Sequence, residues 1–336
     1  MPDYQLSEID VCLSEPSATI RAQLREALIR FGLRRTRDYP NLAETRTALE
    51  STAVDLLLID GDQGEGEVFR IIHSIRHGHL GENPYMGIIV TTWQPTGQLL
   101  ARTTNSGADD LLVKPVSPKQ IQDRLAALIE ARKPFVVTSD FIGPDRRKAP
   151  REGQQIGQFT VPNILRMKAM GVYGRGSAAE EIAEANAALN AEKLLRHAFQ
   201  IAFLVEFALP GLQRPEPDRF SLDSLGRIPG VVEDFVRRLP HDAANGDVAV
   251  EAKRIASQVE RVRQALGRDE AAALLGDLKA QAYGLMRSLS PERLLDEMAA
   301  EVSGAVAKYR ERLAEMAAAR AAQAAAQAAA EAAQSD

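Results

Sequence analysis

Between residues 9 and 132, short apolar runs alternate with amphipathic segments. Ile9–Ser14, Arg34–Tyr39, Val54–Asp60, Gly87–Thr91 and Asp109–Val113 read as strands. Ala18–Arg30, Leu42–Glu50, Gly66–His77, Gly97–Ser106 and Pro118–Arg132 read as the helices between them. Asn41-Leu-Ala-Glu44 and Ser117-Pro-Lys-Gln120 have the form of capping boxes, and Pro118 suits a first helical position. Gly32 marks the stop of the first helix. Asp55-Leu-Leu-Leu-Ile59 is apolar without alternation, the pattern of a parallel strand covered on both faces. Five strand–helix units predict an α/β, doubly wound, five-stranded parallel sheet, whose sites lie at the carboxyl ends of its strands.

Residues 134–158 change character. Gly143-Pro144-Asp145 is a turn signal, and Arg146-Arg147-Lys148-Ala-Pro-Arg151 is a short basic run that reads as solvated linker rather than as a docking site. From Val161 onward the pattern is helical. Ser177-Ala-Ala-Glu180 reads as a capping box opening a helix that stops at Pro210, with Leu194–Val205 apolar nearly all round and so expected to be buried. A second helix is expected over Val231–Leu239, between Pro229 and Pro240. Val248, Ala252, Ile255, Val259, Val262 and Leu266 then recur at alternating four and three, a heptad-like seam ended by Gly267. Asp269 is expected to cap the next helix, to about Leu289, and Ser290-Pro291 to open a last one striped by Leu295, Met298, Val302, Ala305, Tyr309 and Met316. Short connections favour an antiparallel all-α helical bundle or coiled-coil region, in which the two stripes pack mainly on each other or close a homodimer. The alanine-rich end is expected to be a helical or disordered tail. The organisation is then a first domain over 1–133, a linker over 134–158, a helical domain over 159–316 and a tail over 317–336.

Composition narrows the function. The 336 residues carry 41 Lys+Arg and 46 Asp+Glu, a net charge of −5, which argues against nucleic acid as partner. The lone Cys12 excludes an internal disulfide framework and reads as a small core residue. The opening MPDYQLSEID has no character of a secretory signal, and the longest apolar run, Ile201–Leu209, is short and contains Glu206. A soluble cytoplasmic protein without a membrane partner is expected.

The expected strand ends bring chemistry together: Glu15 after the first, Asp60 closing the third, Thr91-Thr92 closing the fourth and Lys114-Pro115 after the fifth. A carboxylate can accept a phosphoryl group as an acyl phosphate. A divalent cation that neutralises the oxygens needs carboxylate ligands. A lysine ammonium holds the phosphoryl group as a point charge, and a hydroxyl donates to it. Glu15 has a second reading as the ion-pair partner of Lys114, and Asp60 as the cap of a turn.

These pieces carry a resemblance. Ser14-Glu15-Pro16…Arg21, Asp55-Leu-Leu-Leu-Ile-Asp60, Val90-Thr91-Thr92 and Ala108-Asp-Asp-Leu-Leu-Val-Lys114-Pro115 resemble the receiver domain of two-component response regulators, and the interval from Asp60 to Arg76 fits that family's third helix. Lys133 to Arg147 is similar to a tail that follows receivers in alphaproteobacterial regulators. The resemblance implies Asp60 as phosphoacceptor, Glu15, Asp60 and the Asp62 carbonyl as ligands of Mg2+, Thr91 as switch hydroxyl and Lys114 as phosphate contact. Leu111 falls where the family often has an aromatic switch residue. Several positions depart from the pattern. Pro16 stands in place of the second acid, the loop Gly61–Glu67 replaces the usual Met-Pro, and Thr92 takes the place of a small residue. Magnesium is therefore expected to bind weakly.

The same resemblance implies a response-regulator-like signalling protein, not an enzyme. A histidine kinase or phosphotransfer protein would phosphorylate Asp60, and a downstream protein partner would be engaged through the helical region. The alternative is a phosphorylation-independent pseudo-receiver scaffold. No cyclase, phosphodiesterase, kinase or phosphatase motif and no helix-turn-helix is recognised in the second half. His197 leads into Ala-Phe-Gln and His241 follows Pro240, so neither has the Lys-Gly continuation of a phosphotransfer histidine. Trp93 reads as a half-exposed packing residue or a partner contact near the site.

Overall fold

A computed structural model describes residues 4–138, 140–147, 157–240 and 243–333. Lys148–Arg151 and His241 lie outside the described residues. The chain divides into two compact units, Met1–Leu189 and Asn190–Asp336.

The first unit is built on five parallel strands, β1 (Asp10–Ser14), β2 (Arg35–Tyr39), β3 (Leu56–Asp60), β4 (Gly87–Thr92) and β5 (Asp110–Val113), in the order β2-β1-β3-β4-β5. Helices α1 (Ala18–Arg30), α2 (Leu42–Ser51), α3 (Glu67–Arg76), α4 (Gly97–Ser106) and α5 (Pro118–Glu130) connect or follow them. Side chains alternate across a strand, so the apolar run of β3 feeds two cores. Leu56 and Leu58 pack with Val11, Leu13 and Ile89 under Leu24 and Leu28 of α1 and Ile121 and Leu125 of α5. Leu57 and Ile59 pack with Cys12, Ile88 and Val90 under α2 and α3, through Leu49, Ile71, Ile72 and Ile75. Cys12 is a buried free thiol, as expected, and burial pushes its pKa up to about 12. Ser117 and Gln120 form the expected capping box; Asn41 caps α2 through the Glu44 N–H. Gly32 (φ +98°) and Gly267 (φ +80°) follow the ends of α1 and of the later α9 as expected.

Described residues in and just beyond the expected linker form strands. Strands β6 (Phe135–Val137), β7 (Ile142–Pro144) and β8 (Gln158–Phe159) form an antiparallel sheet in the order β7-β6-β8. The short helix α6 (Ile164–Ala169), capped by Asn163, and the start of α7 (Arg175–Leu212) also belong to the first unit. The tie is ionic as well as apolar. Arg76 is fully buried and donates to the carbonyls of Gly107 (2.8 Å), Pro84 (2.6 Å) and Met86 (2.8 Å), and pairs with Asp109 at 2.7 Å. Burial lowers its pKa to about 10. Arg132 also pairs with Asp109, and the exposed Arg146 donates to the Ala108 and Asp109 carbonyls. Both Arg76 and Arg132 lie over the Phe135 ring, 5.1 and 5.0 Å from its centroid. Gly107 makes this approach possible: at φ +91°, a Cβ there would sit 2.4 Å from the Ile142 carbonyl oxygen.

The second unit holds the rest of α7 together with α8 (Arg219–Arg238), α9 (Ala243–Ala265), α10 (Ala271–Leu289) and α11 (Leu295–Ala333). Its core includes Ile201, Val205, Ile228, Phe235, Val259, Leu278, Leu285 and Val302. Several expectations are corrected. Pro229 lies inside α8 and Pro210 inside α7. An interior proline costs about 3 kcal/mol, less than the several large side chains α8 buries, Leu225, Ile228, Val232 and Phe235, each worth about 1.5–3 kcal/mol. Ser177 sits in the first turns of α7 and donates to the Gly174 carbonyl, not at a helix-opening cap. Glu270, not Asp269, precedes α10, and α11 opens at Leu295 rather than at Pro291. The seam residues Ala252, Ile255, Val259 and Val262 are fully buried, but α9 packs on α8 and α10, while α11 packs on α10. A four-three stripe thus serves a helix held between two neighbours as well as a paired seam. The α11 stripe is buried at Met298 and Val302, whereas Tyr309 and Met316 are exposed.

The Arg76 hub gives a direct test. Replacing Arg76 by Met leaves Asp109 buried with one partner fewer, strips the Gly107 and Pro84 carbonyls of its donors and leaves Met86 to Arg132 alone. Chemical denaturation of Arg76→Met is expected to show a loss of about 3–5 kcal/mol.

Candidate functional site

Strand register decides which of the predicted residues meet. Ser14 pairs with Ile59, Asp60 with Thr91 and Thr92 with Val113. Neighbours in a parallel sheet share a face, so Asp60 and Thr91 lie on the α1/α5 side, while Thr92 and Ser14 lie on the α2/α3 side. Glu15 and Lys114 each follow their strand by one residue and turn to the Asp60 side.

Lys114 is the centre of the site. Its Nζ lies 2.6 Å from Glu15 Oε2 and 2.8 Å from Asp60 Oδ1, with all three side chains almost wholly buried. Two carboxylates against one ammonium leave the cluster with a net negative charge in a poorly solvated place. Burial pushes the Asp60 carboxyl above the usual carboxylate range; the hydrogen bond and charge of Lys114 partly reverse this, and the Glu15 charge adds to it. The Ser17 N–H donates to Glu15 Oε1 and fixes that carboxylate's other oxygen. The Lys114–Pro115 peptide is cis.

The remaining predicted residues divide. Thr91 is buried beside Asp60, its carbonyl accepting the Gly61 N–H at 2.7 Å. Asp62 follows Asp60 closely, and its N–H donates to Asp60 Oδ1 at 3.3 Å. Its carboxylate is turned to the other side, accepting from the Thr92 hydroxyl at 2.6 Å and the Trp93 N–H at 2.7 Å. Leu111 is half-buried against the α2/α3-side core. Trp93 is half-exposed, its ring 5.8 Å from Lys114 Nζ. Sequence reasoning missed the polar contacts behind the site: Ser14 Oγ accepts from Thr45 at 2.8 Å and from Gln63 at 3.2 Å. Its only signal was the position of Ser14 at the end of β1.

Two carboxylates and the Asp62 backbone are the oxygen donors on hand for a hard cation. That set suits a magnesium ion that keeps most of its waters, and it is poorer than a site with a third acid. Among the described residues no cluster of three or more His, Cys, Asp or Glu is arranged to hold a metal.

The order of the five parallel strands, with helices on both faces, decides the fold. The five-stranded domain is a doubly wound, flavodoxin-like parallel sheet. Solved structures similar to it include the chemotaxis protein CheY4 of Vibrio cholerae, 18% identical over 35% of this chain and 95% of that chain, with a TM-score of 0.32. A response regulator from Thermotoga maritima is 23% identical over 35% and 93%, with a TM-score of 0.31. A CheY-like receiver domain protein from Methanospirillum hungatei is 20% identical over 35% and 90%, with a TM-score of 0.30. These likenesses lie in the N-terminal part and leave the helical unit unmatched. No family model matches the sequence, and no curated protein does.

The buried Lys114–Asp60–Glu15 cluster predicts a pH dependence of stability. Because the folded state raises the pKa of Asp60 above the ordinary 3.8, its ionisation works against folding. Stability associated with the protonated form is present at low pH and is lost as pH rises through the raised pKa. Asp60→Asn is therefore expected to unfold at higher urea concentration than the wild type at pH 7, with the gap closing as pH falls toward 3.8. Urea midpoints at several pH values check this.

Proposed function

We propose that this protein is a response-regulator-like component of a cytoplasmic phosphorelay, in which Asp60 accepts a phosphoryl group from a histidine kinase or phosphotransfer protein. The observation that supports it is the buried Lys114 ammonium held within 2.8 Å of Asp60, at the carboxyl edge of a receiver-type sheet. An Asp60 oxygen attacks phosphorus, the phosphorus–nitrogen bond of a phosphohistidine breaks, and the electron pair leaves with the imidazole. Glu15, Asp60 and the Asp62 carbonyl would hold magnesium, which when bound neutralises phosphoryl oxygens. Lys114 then exchanges a contact with the Asp60 carboxylate for one with the new anion. Thr91, on the same face, supplies a hydroxyl toward it. The added charge biases the loops after β4 and β5, and the output passes through the helical unit to a downstream protein or a second copy of the chain.

A second reading has its own support. The Asp62 carboxylate is engaged by Thr92 and Trp93, and Pro16 offers no acid, so the cation site is thin. On that reading the domain is a pseudo-receiver scaffold whose surface is read without phosphorylation.

A paired experiment separates them. With magnesium and beryllofluoride, amide shifts near Thr91, Leu111 and Lys114 are expected to move in the wild type and to stay still in Asp60→Asn. A wild type that does not respond at millimolar magnesium, beside an Asp60→Asn variant that keeps full partner binding, would leave the scaffold reading.

A further inference from the structure

The phosphoacceptor site does not use a second feature of the first unit, a groove of about 470 Å³ between α3 and α4. Phe69, Arg70, His73 and Ser74 line it from α3; Arg102 and Asn105 line it from α4. Arg70 and Arg102 are exposed and stand on opposite walls. Among the described residues neither guanidinium forms an ion pair or a hydrogen bond, although most other arginines of this unit do. Two cations lining one groove without a paired counter-charge repel one another, and an anion between them removes that cost. The aromatic rings of Phe69 and His73 also line the groove. Phe69 is half-buried, and the His73 ring is stacked on His77 with centroids 3.9 Å apart.

We infer that this groove binds a phosphate monoester carried on a flat ring, of the nucleoside monophosphate class. The phosphate lies between Arg70 and Arg102, where a dianion can take a planar fork from each side, and the Asn105 amide supplies a neutral donor. The ring lies on Phe69 and His73, whose faces tolerate any flat heterocycle. The volume is within the range of small-molecule pockets. The groove also abuts the acceptor loop. Phe69 Cζ lies 3.9 Å from where Gly61 would carry a Cβ, and an Arg102 guanidinium nitrogen lies 3.3 Å from the same point on Gly66. An occupant therefore touches the segment that follows Asp60, without needing Asp60 itself.

The test uses the full chain and adenosine 5′-monophosphate as probe, followed by calorimetry and by amide shifts of α3 and α4. Saturable binding is expected, about tenfold or more weaker in Arg70→Ala and in Arg102→Ala, each arginine contributing a charge-assisted hydrogen bond. Asp60→Asn is expected to bind as the wild type does, which keeps this outcome separate from the phosphoacceptor question. Both arginines are exposed, and unchanged circular dichroism and melting would show that the variants fold. Adenosine and inorganic phosphate are each expected to bind more weakly than the monophosphate. No binding at millimolar monophosphate, or binding indifferent to both arginines, overturns the proposal. Adenosine binding as tightly as the monophosphate overturns the anion contact, and phosphate alone binding as tightly overturns the ring contact.

Discussion

One buried ammonium organises the receiver-like domain. Lys114 stands between Glu15 and Asp60, and the three groups close the carboxyl edge of β1, β3 and β5. Removing either carboxylate leaves the ammonium paired with the other, while removing the ammonium leaves two buried like charges face to face. The cluster therefore tolerates chemistry at Asp60 better than loss of Lys114. Its burial is why Asp60 resists ionisation.

A second ionic hub shapes the opposite end of the same sheet and binds the residues that come after it. Asp109 holds Arg76 and Arg132, and Arg146 reaches the neighbouring carbonyls. Lys168 of α6 bridges Asp55, just before β3, at 2.7 Å and Asp10 of β1 at 3.1 Å. The Tyr85 hydroxyl donates to Asn186 of α7. The described residues of 135–147 and 157–189 are thereby tied into the first unit. β5 begins next to Asp109, and β7 lies against Gly107.

The helical unit rests on apolar packing. Helix α9 is buried between α8 and α10, and His197 is buried with Nε2 3.3 Å from Asp234, which holds it in the core rather than offering it to a phosphoryl donor. On α11, Tyr309 is exposed at its rim but sets its ring edge-on against Phe203 and Phe207, 5.6 and 5.5 Å between centroids, whereas Met316 is exposed.

Periodicity by itself determined the five strands, their helices and the residues at the strand ends. Each depends on local spacing that the fold reads out directly: two cores for β3, caps at Ser117 and Asn41, a stop at Gly32. The same reasoning fails where local signals compete with packing. Prolines 210 and 229 read as helix boundaries, yet burial on both sides outweighs a lost hydrogen bond. Of the stretch 134–158, the described Arg146 and Arg147 carry no mark in the sequence of their contacts, the Ala108 and Asp109 carbonyls for Arg146 and the Asp145 carboxylate for Arg147. Asp62 is placed by its backbone, but only the tertiary structure shows its carboxylate drawn to Thr92 and Trp93, because strand order brings β4 beside β3. The sequence determined which groups could reach the sheet edge. The tertiary structure decided which of them face each other, since charge pairing in a buried site depends on distances that spacing along the chain does not contain.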